Sequence, residues 1–148
     1  MELKTKKDGI IKVNVKCWSF YPSDYRVKEF VMNIQLYSPQ QKSWIEYHNM
    51  LLDTGFDGDI LIPMKDFEKH GFLQVLSIES GQWEAESVSG EKLKLISSFS
   101  ELRIDDYQIE VMVESFTGNN SCILGRGILI RLKTTIDGKN EQTCIEID

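Results

Sequence analysis

The chain has 148 residues, 17 basic and 23 acidic side chains, a net charge of -6 and 41% hydrophobic residues, which suits one domain, residues 1–148, with a sizeable core. The acidic balance argues against a nucleic-acid partner, because phosphate is met by clustered Lys and Arg; the one basic cluster, Lys4, Lys6 and Lys7, reads as a solvated tail. No run approaches the ~18 apolar residues of a membrane span, and the N-terminus lacks an apolar stretch of signal-peptide length, so no membrane partner is expected.

Cysteine and histidine usage narrows the chemistry. Cys17, Cys122 and Cys144 are odd in number and lack Cys-x-x-Cys spacing, which favours neither a disulfide framework nor a zinc site. Buried reduced thiols in a cytoplasmic protein are expected. His48 and His70 are the only histidines, separated in sequence and without a third partner, so neither a metal site nor a histidine-based nucleophile is expected, and no cofactor is implied.

In chain order, residues 11–17 alternate Ile, Val, Val and Cys with Lys, Asn and Lys, the period of a half-buried strand. Trp18 and Phe20 break that parity, and Tyr21-Pro22-Ser23-Asp24 has turn chemistry. A second strand over residues 28–36 puts Phe30, Met32, Ile34 and Leu36 on one face. A loop over 37–43 follows, then a third strand over 44–52, the three pieces forming a β meander. That third strand delivers Asp53 into a Thr54-Gly55 turn. A carboxylate at the end of a buried strand is placed to share a proton with a second carboxylate and hold a water between them. The Thr54 hydroxyl can brace the turn, and Gly55 lets backbone approach a substrate. Ile60-Leu61-Ile62 return the chain to the core, and residues 64–70, with Pro63 before and Gly71 after, suit one or two helical turns.

Residues 81–99 read as a hairpin turning at Ser89-Gly90, and 101–113 as another turning at Asp105-Asp106, with Tyr107, Ile109, Val111 and Val113 on one apolar face. Gly118-Asn119-Asn120-Ser121 is a loop leading into the apolar Cys122-Ile123-Leu124 and then Gly125-Arg126. Residues 133–148 read as a terminal hairpin around Gly138-Lys139-Asn140.

Leu51-Leu52-Asp53-Thr54-Gly55, taken with Ile123-Leu124-Gly125-Arg126, resembles the retropepsin-like (retroviral-type) single-domain aspartic proteases. The helix after Pro63 and the terminal hairpin look most similar to the stand-alone prokaryotic and cellular members. The resemblance implies an all-β fold, a closed acid-protease barrel with a flap hairpin and one or two short helices. It implies Asp53, Thr54 and Gly55 as catalytic, and the 81–99 hairpin as the flap, with Ser89 and Gly90 at its tip. Asp57 falls beside the substrate and is also implied as the structural partner of Arg126 under the catalytic floor, in the same subunit or across the interface of a dimer. The short helix that the family has after the arginine is commonly opened by Asp or Asn. Here Gly127, a weak cap, with Ile128 and Ile130, mediocre helix formers, counts against it. Retroviral members begin near the strand at 28–36, so residues 1–20 read as an added N-terminal strand.

One motif supplies one carboxylate; Ile136-Asp137-Gly138 lacks the Thr and reads as a turn. The resemblance therefore implies a homodimer, with two Asp53 residues meeting on a two-fold axis. The expected reaction is hydrolysis of a polypeptide substrate by a water held between them, with no metal and no covalent intermediate. A rival is a non-catalytic dimeric domain of the same fold that binds peptides by strand addition, against which the joint presence of Asp53, Thr54 and Gly55 speaks. A calcium site from Asp53, Asp57 and Asp59 fails the spacing of an EF-hand loop.

Overall fold

Alternating sequence at the N-terminus pairs into β1 (Glu2–Lys6) and β2 (Gly9–Ser19), an antiparallel hairpin, where a single added strand is expected. The structure, a computed structural model, describes residues 2–6, 9–22, 26–78, 80–81, 83–86 and 89–147; part of the expected 21–24 turn lies outside them, as does Lys7. Next come β3 (Val31–Ser38) and β4 (Ser43–Asp53), then the two-residue β5 (Ile60–Leu61). β3 buries every second residue, Met32, Ile34, Leu36 and Ser38. It starts later than expected because residue 29 bridges back to Tyr21 and Phe30 leaves the core to pack on Phe20, ring centroids 4.8 Å apart.

α1 (Met64–Lys69) follows Pro63 and ends with Gly71 at φ +84. Only glycine suits that site, since its conformation is left-handed and a Cβ would lie 2.6 Å from Gln40. A 3-10 turn over Phe72–Val75 then packs the Phe72 ring 5.4 Å from Phe67. β6 (Glu84–Glu86) and β7 (Lys92–Lys94) form a separate two-stranded hairpin. The hairpin is shorter than the expected 81–99, because residues 96–99 belong instead to β8 (Ile96–Ile104). β8 pairs along its whole length with β9 (Tyr107–Ser115), turning at Asp105, φ +51.

β10 (Ile123–Gly125) leads directly into α2 (Arg126–Leu129). This helix forms despite its poor helix formers, and Gly127 lies inside it rather than at the cap. The reason is packing: a Cβ on Gly127 would meet Asp59 Oδ1 at 2.3 Å and the Gly58 carbonyl at 2.9 Å. β11 (Lys133–Asp137) and β12 (Gln142–Ile147) close the chain as the expected hairpin.

The protein is mostly β. β10, β4, β3, β8, β9 and β5 close into a six-stranded barrel, and β1, β2, β12 and β11 make a second sheet. Buried apolar residues of both, including Met32, Leu36, Met50, Leu102, Val113, Leu124, Trp18 and Ile145, form one continuous core. β12 lies antiparallel to β2 with Cys144 opposite Cys17, Cα atoms 4.1 Å apart, and a disulfide joins them. This corrects the expectation of reduced thiols. The two cysteines are 127 residues apart, and only the pairing of chain ends makes them neighbours. Cys122 is the free thiol, half-buried, and burial with nearby Asp66 pushes its pKa up to about 11, which leaves little reactive thiolate.

Candidate active site

β4 ends at Asp53 because β10 runs parallel beside it, with Leu52 level with Leu124 and Asp53 level with Gly125. The chain then turns on itself. The Gly55 N–H donates to Asp53 Oδ1 at 2.8 Å and the Phe56 N–H to the Asp53 carbonyl at 3.2 Å. Oriented by one backbone donor, the Asp53 carboxyl remains partly accessible, while Thr54 and Gly55 are exposed beside it.

The loop from 53 to 59 is held by three consecutive backbone donors. Gly125 N–H reaches the Asp59 carbonyl at 2.8 Å, Arg126 N–H the Phe56 carbonyl at 2.7 Å, and Gly127 N–H the Gly58 carbonyl at 3.0 Å. The fit admits no side chain at 125, where a Cβ would lie 2.2 Å from the Gly58 carbonyl oxygen and 2.6 Å from the Phe56 ring. The distant motif Ile123-Leu124-Gly125-Arg126 is therefore the clamp of the Asp53 turn.

Within one chain Arg126 reaches the turn itself. Its Nη1 donates to the Thr54 carbonyl at 3.2 Å from an exposed position; among the described residues of this one chain no ion pair joins it to Asp57, which leaves the pairing across an interface as the form of the expectation still to be tested. The carboxylate–guanidinium pair of this region is Asp59 with Arg131, Oδ2 to Nη2 at 3.0 Å. Asp59 Oδ2 also accepts from the Met112 N–H at 2.9 Å, and Arg131 donates to the carbonyls of Gly127 and Glu110 at 3.1 and 2.8 Å. The loop turns Asp57 out toward the groove and Asp59 back toward β9, and the single turn of α2 brings Arg131 under it.

Above this floor lies the β6–β7 hairpin. Asp53, Gly55, Asp57 and Arg126 face Glu84 and Glu86 across a groove of about 390 Å³. The expected tip residues Ser89 and Gly90, the latter at φ +84, are exposed and line no part of this groove. A second cavity of about 320 Å³ continues from it, sharing Asp57, Glu84 and Leu95 and ending at Glu114.

Glu114 was not legible in the sequence. Val111 and Val113 mark the core face of β9, and Glu114, one position on, falls on the face that alternation assigns to solvent. That face is covered by the 53–59 loop, leaving Glu114 only 3% exposed. Burial first, then the neighbouring Asp59 and Asp57, holds its carboxyl up to about 7. The two histidines do not converge on the site: His48 is exposed on β4, and His70 is buried after α1. Among the described residues no three His, Cys, Asp or Glu side chains are arranged to hold a metal ion, and Asp59, named in the calcium reading, is taken up by Arg131.

No protein-family model and no curated protein sequence matches the chain. Solved structures do. A retropepsin-like aspartic protease from Rickettsia conorii is similar at a TM-score of 0.62 and 19% identity, over 91% of this chain and 93% of that one. EIAV protease, solved with an inhibitor, is similar at a TM-score of 0.51 and 17% identity, over 74% of this chain and 93% of that one. At these identities the likeness is one of architecture, and it agrees with the mostly β chain and its closed six-stranded barrel: this chain has the retropepsin-like fold.

Proposed function

We propose that the chain is an aspartic endopeptidase that works as a homodimer, hydrolysing peptide bonds with a water activated between Asp53 of one copy and Asp53 of the other. The observation that carries this reading is the Asp53 carboxyl, fixed by a single backbone donor on the floor of a groove roofed by a two-stranded hairpin. One carboxylate takes a proton from the water as its oxygen attacks the carbonyl carbon. The other, protonated, gives its proton to the carbonyl oxygen, and return of a proton to the amide nitrogen releases amine and acid. Thr54 would tie the two turns together across the axis, Gly55 would offer its backbone to an extended polypeptide, and the β6–β7 hairpin would exclude water once substrate is bound.

Among the described residues no helix is long and apolar enough to cross a membrane. The cytoplasmic placement in this reading rested on reduced thiols, and the Cys17–Cys144 bond removes that support.

A peptide-library digest by wild type beside Asp53→Asn tests the reading. The amide is nearly isosteric and can still accept the Gly55 hydrogen bond, but it cannot cycle a proton. Cleavage should fall by at least about a hundredfold while the folded state is kept. Activity of the variant within tenfold of wild type would remove Asp53 from the mechanism, and peptide binding without turnover by wild type would make the domain a binding module.

A further inference from the structure

The cavity that ends at Glu114 has walls of Trp83, Leu95, Phe99 and Met112, while its polar groups are carboxylates: Asp57, Asp59, Glu84 and Glu114. Asp59 is neutralised by Arg131. Glu114 is not: it is 3% exposed, and its carboxyl makes no hydrogen bond or ion pair among the described residues. It points past the catalytic loop into the cavity, close enough to Gly58 that a Cβ there would lie 2.4 Å from its Oε1. The other cations nearby are engaged or set apart. Arg126 holds the Thr54 carbonyl, and Lys92 and Lys94, opposite Glu86 and Glu84 on the hairpin, are exposed and line no part of the cavity.

The Glu114 oxygens are not among the fully buried unpartnered atoms, so they still meet solvent; a carboxyl with this little access to water and no protein donor gains from a ligand that brings donors. Apolar walls leading to an acidic end match a side chain with a methylene stem and a cationic head, and the half-exposed Trp83 ring offers a face for the cation. We propose that this cavity is a substrate subsite for a lysine or arginine side chain, with Glu114 as the specificity-determining residue. The inference rests on the reading that a polypeptide lies in the Asp53 groove. Burial and the facing Asp59 and Asp57 favour the protonated form of Glu114; a bound cation opposes them and draws the proton off, giving a charge-assisted contact of the strong kind.

Matched fluorescent peptide libraries with Lys, Arg, norleucine or Gln at each position in turn test this on the full chain. For wild type, kcat/KM for Lys or Arg at one position should exceed that for norleucine by roughly tenfold to a hundredfold, mainly through KM. Glu114→Gln should lose that preference and still cleave the norleucine peptides. Equal rates for Lys and norleucine, a preference for Gln, or a Lys preference that survives in Glu114→Gln each overturns the proposal. If wild type cleaves no peptide, it is the hydrolytic reading that fails, and fluorescence anisotropy decides the subsite separately. Asp53→Asn should then bind the Lys peptides above the norleucine ones, and Asp53→Asn with Glu114→Gln should not; no difference between the two proteins overturns it.

Discussion

Two charged residues beside the Asp53 turn, Arg126 and Asp59, carry opposite lessons about charge. Arg126 is exposed and makes one hydrogen bond to a carbonyl, so Arg126→Lys should change the stability of the chain by less than about 0.5 kcal/mol. Asp59 accepts from Arg131 and from the Met112 N–H, and Asp59→Ala leaves that donor unmatched, which should cost about 1 to 2 kcal/mol after allowance for the partly exposed ion pair. Urea titrations of both variants check the order, and an equal loss would refute the assignment of roles. Glu114 makes stability depend on pH. Its folded pKa of about 7 lies above its ordinary 4.5, so folding favours the protonated form. The contribution is fully present below pH 4.5 and is lost as pH rises through 7. Glu114→Gln should remove that slope and stabilise the chain at pH 8 by on the order of 1 kcal/mol relative to wild type, the shift being discounted for solvent near the cavity mouth. Denaturation curves at pH 4.5 and 8 decide it; a slope unchanged in the variant would mean that other groups produce it.

Among elements, the Asp53 loop is shaped less by its own sequence than by β10 and α2, which meet it with three N–H donors and two glycines. α2 shows the same dependence from the other side: a helix of one turn with weak formers persists because it is docked. The second sheet is fastened differently. β2 and β12 come from opposite ends of the chain and are joined by Cys17–Cys144. In the chain-entropy account, closing a loop of that length contributes up to about 5 kcal/mol. Reduction, or Cys17→Ser with Cys144→Ser, should therefore lower the unfolding midpoint and free the β1–β2 hairpin for amide exchange before the barrel. Hydrogen exchange under oxidising and reducing conditions measures this, and identical protection of β2 in both would show that pairing alone holds the sheet.

At the scale of the molecule, one chain supplies one Asp53, and the proposed chemistry needs two. Specific activity should then fall on dilution below the dimer dissociation constant; full activity at nanomolar concentration in a species that sediments as a monomer would end the shared-site reading. The local sequence by itself determined the β-rich pattern, the Asp53 turn, the Pro63 and Gly71 punctuation around α1 and the two hairpins at 101–113 and 133–148, because each depends on neighbours within a few residues, where alternation, turn chemistry and helix caps act. The role of Gly125 and Gly127 as backing for the Asp53 loop, the pairing of Asp59 with Arg131, the burial of Glu114 and the union of Cys17 with Cys144 were decided only by the tertiary structure. Each of these joins segments far apart in the chain, and a pattern of period two records which face of a strand a residue occupies without recording what will cover that face.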